Sequence, residues 1–355
     1  FMLGVVQTAD GMPIFHEVFD GNTAEAPTLE PTLKKVLTRY PHIRRLVVVA
    51  DRGLLSLDNI EALSKLHVGA GVGTDGGAGR PLEFILAVPG RRYGEFVDLL
   101  EPMAARMAQA TDEIVEEAQW QGHRLVVAHN PLRATEQTQE RLARIHALQQ
   151  RADQLAGKLD AQDEGKVQRG RKLSDSGAKA RFFHEVSDAH LARIIKVDLQ
   201  SDLFTYAIDE TALARAQLMD GKLMLVTNVK DLSPAEVVQR YKSLADIERG
   251  FKVLKSEIEI APVFHRLPER IKAHASICFI ALILYRVMRQ RLKLAGSDLS
   301  PETALADLRR IQRHTVSIDS AAPIHGVSTI HPRQADVLAA LNVKKPTQDA
   351  QLSLL

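Results

Sequence analysis

The sequence predicts an α/β protein, and the order of its first elements is the main reason. Segments 2–9 and 13–20 have the composition of strands, and the Asp-Gly pair between them is typical of a β-hairpin. Apolar residues recur with helical spacing over 27–39 and again over 56–66. Between those helices, LVVVA at 46–50 is a continuous apolar run, as expected for a strand covered on both faces. Hairpin, helix, strand and helix in this order are typical of an α/β domain.

The middle of the chain, from 94 to 229, mixes helical and strand patterns, and we interpret it as an α+β insertion into the α/β core. A glycine-rich segment at 68–79 precedes it and contains no phosphate-binding motif, so we expect a loop there. The further expected elements are a strand at 83–89, a mostly helical stretch at 97–119, a strand at 124–130, a long polar helix at 135–158, an exposed charged loop at 157–181, and strands at 194–199, 203–209 and 223–228.

The last third of the chain is predicted to be helical. Helical patterns cover 241–255, 271–292 and 301–313, and residues 344–355 resemble a frayed tail. We therefore expect four segments: a first part of the core (1–93), the insertion (94–229), the closing helices of the core (230–295) and a C-terminal helical tail (296–355).

The composition is that of an ordinary globular protein. A formal net charge of +2 over 355 residues is no signature of nucleic-acid binding, although local basic patches can hide in a balanced total. The single cysteine, Cys278, excludes an internal disulfide, and we expect it to pack in the core. The longest apolar run, 275–285, is too short to span a bilayer of about 30 Å. We expect a buried helix there, in a cytoplasmic protein with no membrane partner.

One predicted helix, over 241–255, carries an acid among apolar residues. Tyr241, Glu248 and Lys255 are spaced by seven and so share a helix face with Leu244 and Phe251. Burying a carboxylate is costly unless it is paired or coordinates a metal ion. A magnesium site is one way to meet that cost.

A second acid, Asp51, follows the strand predicted at 46–50. In an open α/β sheet, ligands bind at the carboxyl ends of strands. An Asp at a strand tip and Glu248 on a distant helix together suggest metal-assisted phosphoryl transfer. Each residue also has a plain structural interpretation: Asp51 as the cap of a turn, and Glu248 as the partner of Arg52 or Lys252 in an ion pair.

Three motifs identify a family at this point. PIFHEVFDGNTAEAPTL at 13–29 comes first, followed by VVVADRGLLSLDNIEAL at 47–63. The third motif is Tyr-x2-Leu-x3-Glu-x6-Lys at 241–255, together with PVFHRLPERIKAH at 262–274, which follows it. In this order they resemble bacterial insertion-sequence transposases of the DDE class, and most closely the IS-four type. The resemblance extends from residue 2 to about residue 292.

The resemblance implies a fold, a cofactor and partners. The fold is an RNase H-like core, a mixed sheet flanked by helices, that is interrupted by the insertion before the helix with the Glu. Members use two Asp and one Glu to hold Mg²⁺ (or Mn²⁺). The implied partners are double-stranded DNA, as transposon ends and target, and a second copy in a homodimer. The implied location is the bacterial cytoplasm, in association with the nucleoid.

By the same resemblance, Asp51 and Glu248 are the catalytic residues and metal ligands. The candidate DNA-binding residues are Tyr241, Lys255, Arg52, Lys252, His265 and Arg266. Two departures from the family pattern stand out. Leu244 replaces the Arg that follows the Tyr by three residues, and the first Asp of the triad is expected upstream of residue 1, since Asp10 and Asp20 are interpreted as turn residues. The chain is thus expected to be an N-terminally truncated, incomplete copy.

Two alternatives to an active transposase stay open. One is a non-catalytic DNA-binding or regulatory remnant of a transposase, which would bind DNA without cleaving it. The other is a metal-dependent nuclease of RNase H type, which would hydrolyse DNA without strand transfer.

Overall fold

The computed structural model describes residues 1–54, 57–68, 79–165, 173–317, 319 and 323–346. The predictions for most of the glycine-rich segment, for 166–172 of the charged loop and for most of the tail lie outside these residues. The helices and strands, in chain order, are β1 (Met2–Gln7), β2 (Pro13–Phe19), α1 (Leu29–Arg39), β3 (Val47–Ala50), α2 (Leu57–Lys65), β4 (His67–Val68), β5 (Arg80–Pro81), β6 (Glu83–Ala87), α3 (Val97–Ala108), β7 (Ile114–Trp120), β8 (His123–His129), α4 (Pro131–Asp163), α5 (Asp175–Asp188), β9 (Ile195–Val197), β10 (Tyr206–Ile208), α6 (Glu210–Met219), β11 (Lys222–Thr227), α7 (Pro234–Lys242), α8 (Ala245–Ser256), α9 (Pro268–Leu294), α10 (Pro301–Leu308), β12 (Arg313–Val316), β13 (Ile324–Val327) and α11 (Pro332–Ala340).

These elements form two compact units: Glu25–Tyr241, and Phe1–Ala24 together with Lys242–Leu355. The boundaries of these units differ from those of the four expected segments. An α/β fold with a mixed sheet agrees with the predicted fold class.

A five-stranded sheet in the order β3-β6-β11-β8-β7 organises the unit Glu25–Tyr241. β3 is parallel to β6, and the remaining neighbours are antiparallel. Alternate residues of the central strands enter two different apolar clusters: Phe84 and Leu86 lie in one, and Ile85 and Ala87 in the other. Because successive side chains of a strand point to opposite faces, the sheet is covered on both sides. The prediction for the strand at 46–50 is thus confirmed.

The helix predicted over 97–119 is wrong in its second half. α3 ends at Ala108, and residues 114–120 form β7, which pairs with β8 as a hairpin. Gln121 and Gly122 form the turn with positive φ angles of 49° and 78°. β7 is an edge strand of the sheet, and its Glu117 forms an ion pair with Arg124 of β8. This cross-strand pairing, rather than local propensity, decides the conformation.

Elements from Pro131 to Met219 pack around a separate apolar cluster in the same unit. α5 supplies its centre with Phe182 and Val186. The exposed loop expected at 157–181 is therefore wrong at both ends, because 157–163 belong to α4 and 175–181 to α5. Lys179, expected to be exposed there, is buried and donates to the main-chain oxygen of Ser201. β7, β8 and β11, which the sequence assigned to the insertion, belong to the central sheet.

The turn before β11 requires a glycine. Gly221 has a φ of +67°, and a Cβ at this position would lie 2.4 Å from the main-chain oxygen of Asn130. Asp220, buried beside it, accepts hydrogen bonds from Arg141 at 2.6 Å and from Thr138 at 2.7 Å. This polar cluster fixes the end of α6 to the beginning of α4.

In the other unit, β1 and β2 form the predicted hairpin, and α8 and α9 pack together around Leu254, Cys278 and Leu282. Burial of Cys278 confirms its predicted role. α10, α11 and the end of α9 form a second cluster, and β12 pairs with β13 in a hairpin that the sequence did not predict.

α9 differs from the buried helix that was expected at 275–285. It has 27 residues, and an 18-residue window has a mean hydropathy of 1.6 with only 33% of its residues buried. Ile277, Ile280 and Leu284 are exposed on its outer side. Among the described residues this helix alone is long and apolar enough to cross a membrane, a test that core helices of water-soluble proteins also pass.

Candidate active site

Asp51 lies directly after β3, with an exposed side chain at the carboxyl end of this edge strand. The turn that follows Asp51 is held by hydrogen bonds from the buried side chain of Asn59. The side-chain amide of Asn59 donates to the main-chain oxygens of Leu54 at 2.7 Å and Ala26 at 2.9 Å. A Cβ at Gly53 would lie 2.5 Å from Oε2 of Glu25, so a larger residue here would require the Glu25 side chain to move. Neither Asn59 nor Glu25 was among the residues predicted for the site, and no pattern in the sequence connects them with Asp51.

Tyr241 reaches Asp51 from the end of α7. Its hydroxyl donates a hydrogen bond of 2.8 Å to Asp51 Oδ1, across 190 residues of sequence. The ring is half-buried against the cluster that contains Val237 and Val238 of the same helix. The structure therefore brings together two predicted site residues. Arg52 begins the 3₁₀ turn Arg52–Leu54, and its side chain lies outside the described part of the structure.

The single helix predicted over 241–255 is wrong, because the chain turns at Ser243 and Leu244 between α7 and α8. The prediction that Glu248 lies in a buried apolar stripe is also wrong, since its side chain is exposed. Gly250 and Leu254 are the buried residues of α8. With about 100° of rotation per residue, a helix that buries Gly250 directs Glu248 to nearly the opposite side. The carboxylate thus avoids the cost of desolvation.

The exposed face of α8 carries charges of both signs. A cavity of about 570 Å³ is lined by Glu248, Phe251, Lys252, Lys255 and Ser256. The carboxylate can ligate a divalent cation, and the two ammonium groups can neutralise phosphate charge. Three of the predicted site residues therefore share one surface.

His265 and Arg266 are exposed in the segment that precedes α9. They belong to the same unit as Glu248 but do not line the cavity on α8. The His265 ring lies 6.1 Å, between centroids, from that of His274, whose Nε2 is 3.0 Å from the main-chain oxygen of Ile260. His274 therefore has a structural contact, while His265 and Arg266 are available to a ligand.

Among the described residues, no group of three or more His, Cys, Asp and Glu side chains could hold a metal ion. Mg²⁺, however, is commonly held by one or two protein carboxylates, with water and substrate phosphates as its other ligands. Asp51 and Glu248 each present an exposed carboxylate, one in each unit. The chemistry of these donors fits Mg²⁺ or Mn²⁺ in the presence of DNA.

A family model described as "Transposase DDE domain" matches residues 2–284 of the 355. No curated protein and no solved structure matches the chain significantly.

Proposed function

Since the chain belongs to the family of transposases with a DDE domain, we propose that it cuts and joins DNA at the ends of an insertion sequence of the IS-four type. The reaction would be phosphoryl transfer that depends on a divalent metal ion. In the cut, water attacks a phosphorus atom, and the strand leaves with a free 3′-hydroxyl. In the joining step, that hydroxyl attacks a phosphorus of the target DNA and displaces another 3′-hydroxyl.

The observation that carries this proposal is the exposed face of α8, with Glu248, Lys252 and Lys255 around one cavity. A carboxylate and two ammonium groups at this spacing suit a phosphodiester better than a neutral ligand. One charge type would hold the cation, and the other would stabilise the phosphate.

The side chains of the two units would have different roles. Asp51 and Glu248 would each act as a ligand of Mg²⁺ or Mn²⁺, and a bound ion would supply Lewis-acid stabilisation of charge on the phosphoryl oxygens. Tyr241 keeps the Asp51 carboxylate oriented through its hydroxyl. The expected phosphate contacts come from Lys252, Lys255, Arg52, His265 and Arg266, and from Tyr241 when it also faces DNA.

The finer features of the family are part of the same proposal. We infer an RNase H-like core, for which the mixed sheet with Asp51 at the tip of an edge strand is the supporting feature. Double-stranded DNA is the inferred partner, as transposon end and as target. Action as a homodimer in the cytoplasm, on chromosomal DNA, completes the proposal.

The test is nicking of supercoiled plasmid by the full chain, with Mg²⁺ or Mn²⁺ and with EDTA. We expect slow nicking that depends on the metal ion and releases 3′-hydroxyl ends, because Asp51 and Glu248 are two of the three carboxylates that the resemblance implies. Asp51→Asn and Glu248→Gln should each reduce its rate at least about 100-fold, since metal ligation is worth several kcal/mol in such reactions.

Asp112→Asn and Glu257→Gln are matched controls, because both carboxylates are exposed and outside the candidate site. Equal nicking by wild type and both site variants would contradict the proposal. DNA binding without any metal-dependent nicking would favour the non-catalytic alternative. Hydrolysis without strand transfer to a second plasmid would favour the nuclease.

A further inference from the structure

Arg286 is a buried cation in the middle of α9. Its residue is only 8% exposed, and burial lowers the pKa of its guanidinium. Nη2 donates to the main-chain oxygen of Asp246 in the first turn of α8. Nε is buried and has no hydrogen-bond partner among the described residues. A buried charge that is only partly compensated is costly, so its position calls for an explanation.

Two glycines form the cradle for this guanidinium. Gly250 is buried inside α8, and a Cβ there would lie 3.1 Å from Nη2. A Cβ at Gly11, in the β1–β2 turn, would lie at an ordinary contact distance of 3.5 Å from Nη1, and the φ of +82° is what favours glycine there. Glycine is unfavourable within a helix relative to alanine, so Gly250 has no local reason to be present. The space it leaves for Arg286 supplies that reason.

The two glycines and Arg286 lie on the side of α8 opposite to Glu248, the candidate metal ligand. Asp246 and Gly250 are four positions apart and therefore face the same side of α8, toward Arg286. Glu248 lies midway between them and about 200° around the helix from each, on the exposed side. The contact with Arg286 thus fixes the turn of backbone that presents the Glu248 carboxylate.

We propose that Arg286 is a positioning residue for Glu248. It holds the turn 246–250 against α9 and the β1–β2 turn, so that the exposed carboxylate keeps one orientation toward its ligand. The role in metal binding depends on the function proposed above for Glu248, while the effect on the backbone does not. Supporting groups of this kind typically change metal affinity or activity by 10- to 100-fold.

The experiment compares wild type with Arg286→Met, Arg286→Lys and Gly250→Ala in the full chain. Hydrogen exchange, read by mass spectrometry without metal, reports the mobility of amides 246–256. Titration with Mn²⁺, followed by electron paramagnetic resonance, reports metal affinity. DNA binding in EDTA and thermal melting report the remaining structure.

We expect faster exchange at 246–256 in Arg286→Met and Gly250→Ala, and Mn²⁺ affinity lower by about 10- to 100-fold. DNA affinity in EDTA should stay within about twofold of wild type, because Arg286 is buried and contacts no ligand. Arg286→Lys, which keeps the charge, should restore part of the affinity.

Two control variants separate positioning from general damage. Arg289→Met removes an exposed arginine from the same helix and should leave all four measurements unchanged. Gly157→Ala fills open space in α4 and should only stabilise the protein, in contrast with Gly250→Ala.

Unchanged exchange at 246–256 in both Arg286→Met and Gly250→Ala would overturn the inference. If Arg286→Met melts early and loses DNA binding and metal binding in parallel, Gly250→Ala decides the question. A Gly250→Ala variant that melts normally and loses only Mn²⁺ affinity would support the inference, and any other result for it would overturn the inference. Mn²⁺ binding that Glu248→Gln weakens and Arg286→Met leaves intact would reject the positioning role alone. Mn²⁺ binding insensitive to Glu248→Gln would instead reject the proposed function.

Discussion

The two acids of the candidate site are held in different ways. Asp51 follows an edge strand of the central sheet, and the Tyr241 hydroxyl contacts its carboxylate directly. Glu248 lies in the first turn of α8, and no hydrogen bond or ion pair to another described residue holds its carboxylate. Its support comes from the backbone, through the contact between Arg286 and Asp246. The Asp51 carboxylate is thus held by a contact to its own side chain, and the Glu248 carboxylate by contacts to the helical turn that carries it.

This difference predicts where each acid is vulnerable. A side-chain contact can be removed without disturbing the backbone, so the Asp51 region should tolerate loss of Tyr241 but not loss of its buried turn. Variants that separate these contributions can break or sharpen the comparison. The single tryptophan, Trp120, packs on Phe96 in the unit that contains Asp51, and its fluorescence therefore reports unfolding of that unit.

The largest effect is expected at Asn59, which fixes the turn after Asp51. Asn59→Ala removes hydrogen bonds to the main-chain oxygens of Leu54 and Ala26 and leaves these half-buried groups without that donor. We expect the free energy of unfolding to fall by about 2–3 kcal/mol. Urea titration followed by Trp120 fluorescence measures it. Asn22→Ala, exposed in the other unit, is the control, and a loss below about 0.5 kcal/mol for Asn59→Ala would mean that the turn is fixed by other contacts.

A smaller effect is expected at Tyr241. Tyr241→Phe keeps the ring and removes the hydrogen bond of 2.8 Å to Asp51. On an exposed carboxylate this bond is worth about 1 kcal/mol, so metal-dependent nicking should fall about fivefold while urea stability stays nearly unchanged.

Tyr93→Phe is the matched control for Tyr241→Phe. It removes a hydrogen bond of 3.2 Å to the main-chain oxygen of Lys222, in the same unit but within the core. It should alter stability and leave nicking unchanged. Equal nicking by Tyr241→Phe and wild type would show that the hydroxyl does not orient Asp51 in the reaction.

The position of Asp51 was predictable from the sequence, whereas the support for Glu248 was not. The apolar run before Asp51 predicts a buried strand, and a residue directly after a strand must lie at its tip. The break at Ser243 and Leu244 has no local signal, because α7 and α8 each have good helical patterns. It arises because α7 buries Val237 and Val238 in one unit, while α8 buries Gly250 and Leu254 in the other.

Tertiary contacts explain the other errors as well. Segment 114–120 becomes a strand because β8 offers a partner for its backbone, and no pattern within the segment reveals that partner. In the sequence alone, Gly11 is a typical glycine of a hairpin turn, and Gly250 is a residue that destabilises a helix without a visible reason. Only the position of Arg286 between them connects the two glycines.

The smallest expected effect is a pH dependence of the unit that contains Asp51. Burial, and then the charge of Lys222, lower the pKa of His129 below its ordinary value of 6.5. As the pH falls through 6.5, the unfolded chain takes up a proton at this residue and the folded chain does not, so unfolding becomes easier. His129 therefore lowers the free energy of unfolding as the pH falls. The urea midpoint from Trp120 fluorescence should fall between pH 7.5 and pH 5.5, and less so in His129→Gln.

His42→Gln, with an exposed side chain in the same unit, should keep the full pH dependence of wild type. His123 is also buried enough to have a lowered pKa, so His129→Gln should reduce the fall without removing it. An identical fall in wild type and His129→Gln would assign the pH dependence to other groups. If the nicking rate falls in the same pH range as the urea midpoint of this unit, the action of Asp51 depends on the stability of the sheet that carries it.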